Sequence, residues 1–473
     1  MTDASKSLER MFGGVYDFLR RHRAAVAVFC VAVAARLLYA WVALPFIADA
    51  MEFSKSPASD GYCHIAECLL AGQGYRFHPD FGETMFRLPG YPLFLAGIWW
   101  LFGMRLWVVQ LIQSLIAGCT CLLTYHIGKR YFCQLVGVLA GLAFALWPLD
   151  WVVCARYMTE PLYVFLVVLS LVMVLRLAAS PGLGLAAVLG LMLGAASLVR
   201  QVHVLFAVAL LITVPLLPLA RGRRLGAFAK LALSTLVAAA VMAPWVLRGW
   251  RLTGSVIFPS TGGGFNLYST VCFSGLDGYT GDLRGVVRTQ LAPQMARTLA
   301  RHDIRENSRD YSSSYWLTFN SIEDEVRADH VLRRVAMAEI RADPWRFLRT
   351  VLGNVAGFWF RGLAVKMTWV SRLLFVPLLV LVGIGLLTSI RSKQNVTWLL
   401  LLGIVYFNLV CAGTITFVRY TLPAMPAVSL LGARGLIAVL PARIRRGAAN
   451  AEAGQAQTRL ALGQGGTAQD VVT

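Results

Sequence analysis

Long uncharged apolar runs recur along the chain, and short basic clusters separate them. Most of the runs are close to the ~20 residues that a helix needs to cross the hydrocarbon core of a bilayer. The pattern therefore predicts an all-α polytopic membrane protein with ten spanning helices. The predicted spans are residues 24–48, 105–127, 133–149, 161–178, 183–199, 202–219, 228–247, 370–389, 395–413 and 421–440.

The basic clusters set the predicted orientation of these helices. Lys and Arg are enriched in short cytoplasmic loops, so Arg20, Arg21 and Arg23 place the N-terminus in the cytoplasm. The apolar run 88–103 is shorter than a normal span and contains Trp99 and Trp100. We interpret it as an interfacial helix, because every short basic cluster then falls on the cytoplasmic side.

This topology divides the chain into five parts. They are a cytoplasmic N-terminus (1–23), a transmembrane module (24–247) with an external loop (49–104), a long external loop with interfacial helices (248–369), C-terminal transmembrane helices (370–440) and a cytoplasmic, disordered tail (441–473). The predicted location is a membrane, with the functional face on its external side.

Composition agrees with a membrane protein and changes the interpretation of charge. Of the 473 residues, 58% are hydrophobic and 14% are charged, against about 25% charged residues in a typical soluble domain. The net charge of +20 would suggest nucleic acid in a soluble protein. Here it indicates topology-setting residues and contacts with lipid head groups or phosphates, with no nucleic-acid partner.

Charged residues from distant segments converge on the predicted external face. Asp60 lies in the first external loop, Glu160 precedes the fourth span, Arg200 follows the fifth, and Arg419 precedes the tenth. Charges at the rim of a membrane are costly and are therefore candidates for function. Two simpler interpretations are alternatives to function: the two acids cap helices, and the two arginines are membrane anchors.

Cysteine and histidine offer weaker signals. A metal site formed by Asp60 with His64 and His78 lacks a second closely spaced acid, so we do not favour a divalent metal and assign no cofactor. Cys63, Cys68 and Cys272 face the predicted external side, where one disulfide is conceivable but not expected.

Several motifs occur in a characteristic order. Asp60-x-Tyr62 is followed by Arg87-x-Pro89-Gly90-Tyr91-Pro92, Thr159-Glu160-Pro161, Leu198-Val199-Arg200, Pro244-Trp245-x-x-Arg248 and Arg419-Tyr420-x-x-Pro423. The set resembles the membrane glycosyltransferases of the C-type fold (GT-C), in the branch of protein O-mannosyltransferases and the aminoarabinose transferase of lipid A. The loop has one Asp where several relatives carry a pair of acids, which weakens the case for a metal.

This resemblance implies the transfer of a sugar from a polyprenyl phosphate to a lipid, glycan or protein acceptor, with inversion. It implies Asp60 as general base and Glu160 as a second catalytic group. We expect Arg200, Arg419 and Arg87 to bind the donor phosphate, and Tyr62, Tyr91, Arg248 and Tyr420 to contact substrate. The partners are then the donor, its acceptor and membrane lipids.

Two other functions share the general architecture. A transporter would have paired broken helices at the midplane and internal repeats. The sequence shows no repeat, and its acids lie at the rim of the membrane rather than at the midplane. A lipid flippase is a further alternative. Loop 248–350 carries fourteen Arg and no Lys. We interpret it either as a surface on anionic head groups or as a cover over the site.

Overall fold

The computed structural model describes residues 22–45, 60–180, 182–218, 224–273, 290–307, 318–362, 365–414 and 416–441. These residues form helices joined by short connections, and no strand occurs among them. The α-helices are α1 (Arg23–Leu38), α2 (Tyr62–Leu70), α3 (Gly90–Phe102), α4 (Leu106–Tyr131), α5 (Gln134–Ala145), α6 (Pro148–Cys154), α7 (Glu160–Ala179), α8 (Leu183–Val199), α9 (Val202–Thr213), α10 (Arg224–Thr253), α11 (Gly263–Phe273), α12 (Ala292–Ala300), α13 (Ile322–Ala342), α14 (Pro344–Phe360), α15 (Val365–Arg391), α16 (Val396–Ala412) and α17 (Met425–Val439). A π-turn (Tyr39–Ala43) extends α1, and a 3₁₀ turn (Val418–Ala424) precedes α17.

An all-α membrane fold is confirmed. Within the described part of the chain, six helices are long and apolar enough to cross a bilayer: Arg23–Ala43, Leu106–Tyr131, Glu160–Ala179, Arg224–Thr253, Met367–Arg391 and Val418–Val439. Three predicted spans correspond to shorter apolar helices, Leu183–Val199, Val202–Leu216 and Val396–Ala412. Each predicted span thus coincides with a helix or a helix pair, while the total of ten crossings remains a prediction.

The predicted span 133–149 is not one straight helix. The chain breaks after α5, and Pro148 opens α6 at an angle of 54° to it. Proline tolerates the first turn of a helix because its missing N–H has no partner there, but it cannot continue α5. The predicted part boundaries at 247/248 and 369/370 likewise fall inside helices, α10 and α15. The predicted disordered tail lies outside the described residues.

Small residues bring two helices of the C-terminal half into close contact. α15 and α17 pack together extensively. A Cβ at Gly385 would collide with the carbonyl of Leu431, and one at Gly435 with the carbonyl of Leu381. Such close backbone approach supplies van der Waals contact where lipid offers no hydrophobic driving force.

A buried ion pair joins α1 to α6, the short helix that follows the bend after α5. Arg36 Nη2 lies 2.6 Å from Asp150 Oδ2, and neither side chain has appreciable solvent exposure. Arg36 also donates to the carbonyls of Ala32 and Ala145. Because a lone charge in an apolar interior is very costly, this pair restrains α6 against α1. It thereby fixes the start of the segment that leads to Glu160.

The long loop predicted to be external contains its own helices. α11, α12 and α13 enclose a small apolar core that includes Tyr268, Met295 and Leu332. Ser321 accepts a hydrogen bond from the Asp324 N–H and so caps α13.

Candidate active site

Four charged side chains form a continuous ionic chain at one end of the helix bundle. Arg419 Nη1 lies 3.2 Å from Asp60 Oδ2, and its Nε lies 3.1 Å from Glu160 Oε1. Arg200 Nη2 donates to the same Glu160 oxygen at 3.2 Å. We call Asp60, Arg419, Glu160 and Arg200 the ionic chain.

Four separate segments of the sequence carry this chain. Glu160 opens α7 immediately before Pro161, Arg200 ends α8, and Arg419 lies in the 3₁₀ turn before α17. Asp60 precedes α2. The predicted convergence of these four residues is therefore what the fold produces.

The structure decides between functional and simpler interpretations differently for the acids and the arginines. Gly61, with φ of 75°, occupies the N-cap position of α2, which has no side-chain cap, so Asp60 does not cap that helix. Glu160 does lie in the first turn of α7, where the helix dipole favours its charge. Both arginines point into the ionic chain and are only 15–17% exposed. They are not snorkelling side chains.

Aromatic rings line the ionic chain. Tyr420 lies beside both guanidiniums, with ring-centre distances of 5.7 Å to Arg200 and 5.8 Å to Arg419. The Tyr62 ring lies 5.3 Å from the guanidinium of Arg87. These rings exclude water on one side of each cation and restrict its position.

Arg87 reaches this site because two segments approach each other closely. A Cβ at Gly90 would come within 2.8 Å of the Leu198 carbonyl, so only glycine fits between the start of α3 and the end of α8. This contact brings the Arg87 loop next to Arg200. Among the described residues, Arg87 has no acidic partner at ion-pair distance, and its buried Nε donates to none of them.

Tyr91 and Arg248 make their polar contacts outside the ionic chain, and their predicted contact with substrate stays a prediction. Tyr91 is fully buried behind Tyr62, and its hydroxyl donates to Gln113 Oε1 at 2.8 Å. Arg248 lies 3.2 Å from Glu83 and donates to the Thr84 carbonyl rather than joining the ionic chain. Tyr91 therefore supports Tyr62, and Arg248 holds the loop that precedes Arg87.

The charge balance of the site is positive. Arg87, Arg200 and Arg419 face Asp60 and Glu160, so one positive charge remains uncompensated among these five groups. Burial raises the pKa of Asp60, but Arg419, Arg87 and Arg200 outweigh it and hold the pKa of that carboxyl below its usual value. Asp60 is thus ionised at neutral pH. Burial raises the pKa of Tyr62, which stays a neutral hydroxyl.

The structure also locates the groups considered for a metal or a disulfide. Cys63, His64 and Glu67 have donor atoms within 4.8 Å of one another, but Asp60 is not in this group. Burial and the nearby Glu67 raise the pKa of the Cys63 thiol to about 12, which opposes its use as a thiolate ligand. His78 lies 3.3 Å from Asp80 instead. Cys63, Cys68 and Cys272 are free thiols.

Sequence reasoning missed four polar side chains that support the site. They are the Arg36–Asp150 pair, Gln113, which also donates to the carbonyls of Cys154 and Arg156, and the buried carboxylate of Glu325. Polar residues inside apolar helices, such as Arg36 and Gln113, were the available signal. Glu325 carried none, since it belongs to an ordinary acidic first turn.

Part of the chain matches a known protein family. The family model for dolichyl-phosphate-mannose-protein mannosyltransferases matches residues 78–247, which is less than half of the chain. That region contains Arg87, Glu160 and Arg200, while Asp60 and Arg419 lie outside it. No curated protein matches the chain.

Solved structures share the fold. Oligosaccharyltransferase AglB from Archaeoglobus fulgidus, in complex with an inhibitory peptide and a dolichol-phosphate, aligns with a TM-score of 0.52 at 14% identity, over 89% of this chain and 50% of that one. The apo form of an oligosaccharyltransferase from the same organism gives 0.52 at 13% identity, over 86% and 50%. The chain spans about half the length of these archaeal enzymes.

A bacterial structure is less similar. ArnT from Cupriavidus metallidurans bound to undecaprenyl phosphate aligns with a TM-score of 0.38 at 14% identity, over 90% of this chain and 78% of that one. The fold assignment therefore rests on the archaeal structures. The resemblance to GT-C membrane glycosyltransferases is confirmed, and the fold of the chain is the GT-C fold.

Proposed function

We propose that this protein is an inverting glycosyltransferase that moves a sugar from a polyprenyl-phosphate donor to an acceptor at the external face of the membrane. The observation that carries the proposal is the ionic chain, in which one guanidinium contacts both candidate carboxylates. Support comes from the family match over residues 78–247 and from the shared fold with an oligosaccharyltransferase solved with dolichol-phosphate.

The charge balance suits a phosphodiester. A polyprenyl phosphate linked to a sugar carries one negative charge, which matches the single uncompensated positive charge of the site. Arg87 has a buried donor with no partner among the described residues, so it is the natural first contact. Arg200 and Arg419 supply planar guanidiniums that bind phosphate oxygens in pairs.

The reaction follows from this assignment. An acceptor hydroxyl or amine attacks the anomeric carbon from the side opposite the phosphate, and its proton passes to Asp60. The bond from the anomeric carbon to the phosphate oxygen breaks at the same time, and both electrons of that bond leave with the polyprenyl phosphate. A single displacement inverts the anomeric centre. Arg200 and Arg419 stabilise the second negative charge that develops on the leaving phosphate.

Asp60 becomes a better base when the donor binds. In the free protein, Arg419 holds the pKa of Asp60 down. A phosphate that shares Arg419 withdraws part of that stabilisation, so the pKa of Asp60 rises toward a value suited to accepting a proton. Glu160, bound to both Arg200 and Arg419, then keeps the two guanidiniums in place and serves as the second catalytic group.

The donor's position at a membrane explains the scaffold. Its isoprenoid tail lies among apolar helices while its phosphate meets the ionic chain at the end of the bundle. The acceptor is a lipid, a glycan or a protein, and the proposed setting is a bacterial inner membrane with the site on the periplasmic face. A transporter or flippase is less well supported, because the carboxylates lie at helix ends rather than in mid-helix.

Release of polyprenyl phosphate tests the proposal directly. The purified protein in lipid nanodiscs is supplied with labelled polyprenyl-phosphate sugars and candidate acceptors, and the anomeric configuration of the product is determined by NMR. We expect acceptor-dependent release and inversion, abolished in Asp60→Asn. Retention of configuration would refute the single displacement. Uptake of the sugar lipid into proteoliposomes with no release would instead establish a transporter or flippase.

A further inference from the structure

A buried carboxylate outside the ionic chain joins three segments of the protein. Glu325, in the first turn of α13, is 4% exposed. Its Oε2 accepts a hydrogen bond from the Thr84 hydroxyl at 2.6 Å. Its Oε1 accepts from the Met85 N–H at 2.8 Å and from the Thr261 hydroxyl at 2.6 Å. All three contacts are therefore made to donors far away in sequence.

The placement of Glu325 is not explained by helix formation. Ser321 already caps α13, and Glu323 and Asp324 complement the helix dipole from more exposed positions. Burial raises the pKa of Glu325, while the donors Thr261, Thr84 and the Met85 N–H lower it. On balance the pKa stays above its usual value, so turning this carboxylate inward has a desolvation cost that its three hydrogen bonds offset only in part.

One of the joined segments leads to Arg87. The Thr84 hydroxyl accepts from the Phe86 N–H, and the Thr84 carbonyl accepts from Arg248. The hydroxyl of Tyr75 donates to the carbonyl of Arg87 itself at 3.0 Å. The segment 84–87 is consequently held at both ends, by Glu325 at Thr84 and by Tyr75 at Arg87.

The other joined segment reaches the neighbour of Arg200. Thr261, bound to Glu325, follows Ser260, and the Ser260 hydroxyl donates to Gln201 Oε1 at 2.8 Å. The Thr261 N–H also donates to the Met85 carbonyl at 3.3 Å. A single carboxylate thereby fixes the spacing between the loop that carries Arg87 and the end of the helix that carries Arg200.

We propose that Glu325 is a positioning residue for the donor: it holds Arg87 in place beside Tyr62 and Arg200, so that three guanidiniums meet one phosphate. This inference rests on the proposed function, because it assigns donor phosphate to Arg87. It adds that α13 in the long loop sets the donor affinity without touching the donor.

The test compares Glu325→Gln with Glu339→Gln, an exposed Glu on the same helix. Gln keeps the volume and the acceptor for Met85 and Thr261 but loses the charge and the acceptor for Thr84. The dissociation constant of undecaprenyl phosphate is measured in nanodiscs. We expect Glu325→Gln to weaken binding about tenfold, the effect of one lost charge-assisted hydrogen bond. Glu339→Gln should match the wild type, and Thr261→Val should weaken binding about threefold while keeping the carboxylate.

A double-mutant cycle separates positioning from general destabilisation. In the Arg87→Gln background, Glu325→Gln should change the affinity by less than about twofold, because Arg87 no longer contributes. In the Arg419→Lys background its full effect should persist. An equal effect of Glu325→Gln in all three backgrounds, or unchanged affinity in the wild-type background, would overturn the proposal.

Hydrogen exchange provides a readout that needs no ligand. Glu325→Gln should speed exchange in peptides that cover residues 82–88 and leave those of α7 and α8 unchanged. Unchanged exchange in 82–88 would show that Glu325 does not hold this loop. Failure of the wild type to bind polyprenyl phosphate would refute the proposed function instead, and the exchange result would still decide the positioning role.

Discussion

Asp60→Asn should separate catalysis from donor binding by moving them in opposite directions. The substitution keeps the volume of the side chain but removes the charge that lies 3.2 Å from Arg419. Without a general base, we expect transfer to fall at least about a hundredfold. Arg419 would at the same time lose its counter-charge and become more available to phosphate.

The expected gain in affinity follows from Coulomb's law. A phosphate bound on the far side of Arg419 would lie about 7 Å from the Asp60 carboxylate, where repulsion at an effective dielectric of 20 is about 2 kcal/mol. Screening reduces this energy, so removal of the charge should tighten binding of polyprenyl phosphate about tenfold. A loss of rate with a gain in affinity is not expected from misfolding.

The assay measures single-turnover transfer and the dissociation constant of polyprenyl phosphate on the same purified variants. Asp80→Asn is a matched control, because Asp80 lies in the same loop and its side chain is 68% exposed. We expect this control to behave as the wild type. Transfer by Asp60→Asn within a few fold of the wild type would remove Asp60 from the mechanism, and weaker phosphate binding would refute the electrostatic reasoning.

Three further predictions follow from the same contacts. Arg419→Lys should raise the steady-state KM for donor more than Arg200→Lys, since Arg419 contacts both carboxylates and Arg200 only one. The measurement is the KM for donor in the two variants. Arg248→Gln should change donor affinity less than either, because Arg248 contacts Glu83 and Thr84 rather than the ionic chain; equal losses in all three variants would place it at the phosphate after all. On the acid side of the pH profile, kcat/KM should fall only below about pH 4, because the pKa of Asp60 is lowered in the free protein. The fall in kcat should occur at higher pH, because bound phosphate shares Arg419 and the pKa of Asp60 then rises. Equal pH values for the two decreases would show that donor binding does not release Asp60 from Arg419. The lowered pKa also means that ionised Asp60 contributes to the free energy of unfolding. This contribution is complete above the pKa of Asp60 in the unfolded protein and is lost as the pH falls through its lower pKa in the folded protein.

Hydropathy and basic clusters were enough to locate the helices and to bring Asp60, Glu160, Arg200 and Arg419 to one face. Each of those inferences depends on a property of a single segment: its length, its apolar character or the charge at its end. Which carboxylate meets which guanidinium depends on how helices pack sideways, and no local pattern encodes that. The bend within the predicted span 133–149 has a local cause, because Pro148 can end one helix and open the next.

Arg248 and Glu325 illustrate the limit more sharply. The sequence motif Pro244-Trp245-x-x-Arg248 suggested substrate contact, yet its arginine binds Glu83 and supports the loop of Arg87. Glu325 gave no signal, because an acid in the first turn of a helix is ordinary on its own. Only the approach of Thr84 and Thr261, far away in sequence, turns it into an anchor.

The ion pairs between the carboxylates and the guanidiniums of the ionic chain have a consequence for the proposed mechanism. Arg419 and Arg200 are both paired with carboxylates. In the proposed reaction, donor phosphate would therefore share these arginines rather than fill an empty site. Donor binding would then weaken the hold of Arg419 on Asp60 and prepare Asp60 to accept a proton, whereas without donor the pKa of Asp60 stays lowered. Arg87, with no acidic partner at ion-pair distance among the described residues, contributes affinity without this exchange. We therefore expect Arg87→Gln to raise the KM for donor with little change in kcat, whereas substitution of Arg419 should alter both; equal changes in kcat for the two variants would show that the exchange at Arg419 has no part in the chemical step.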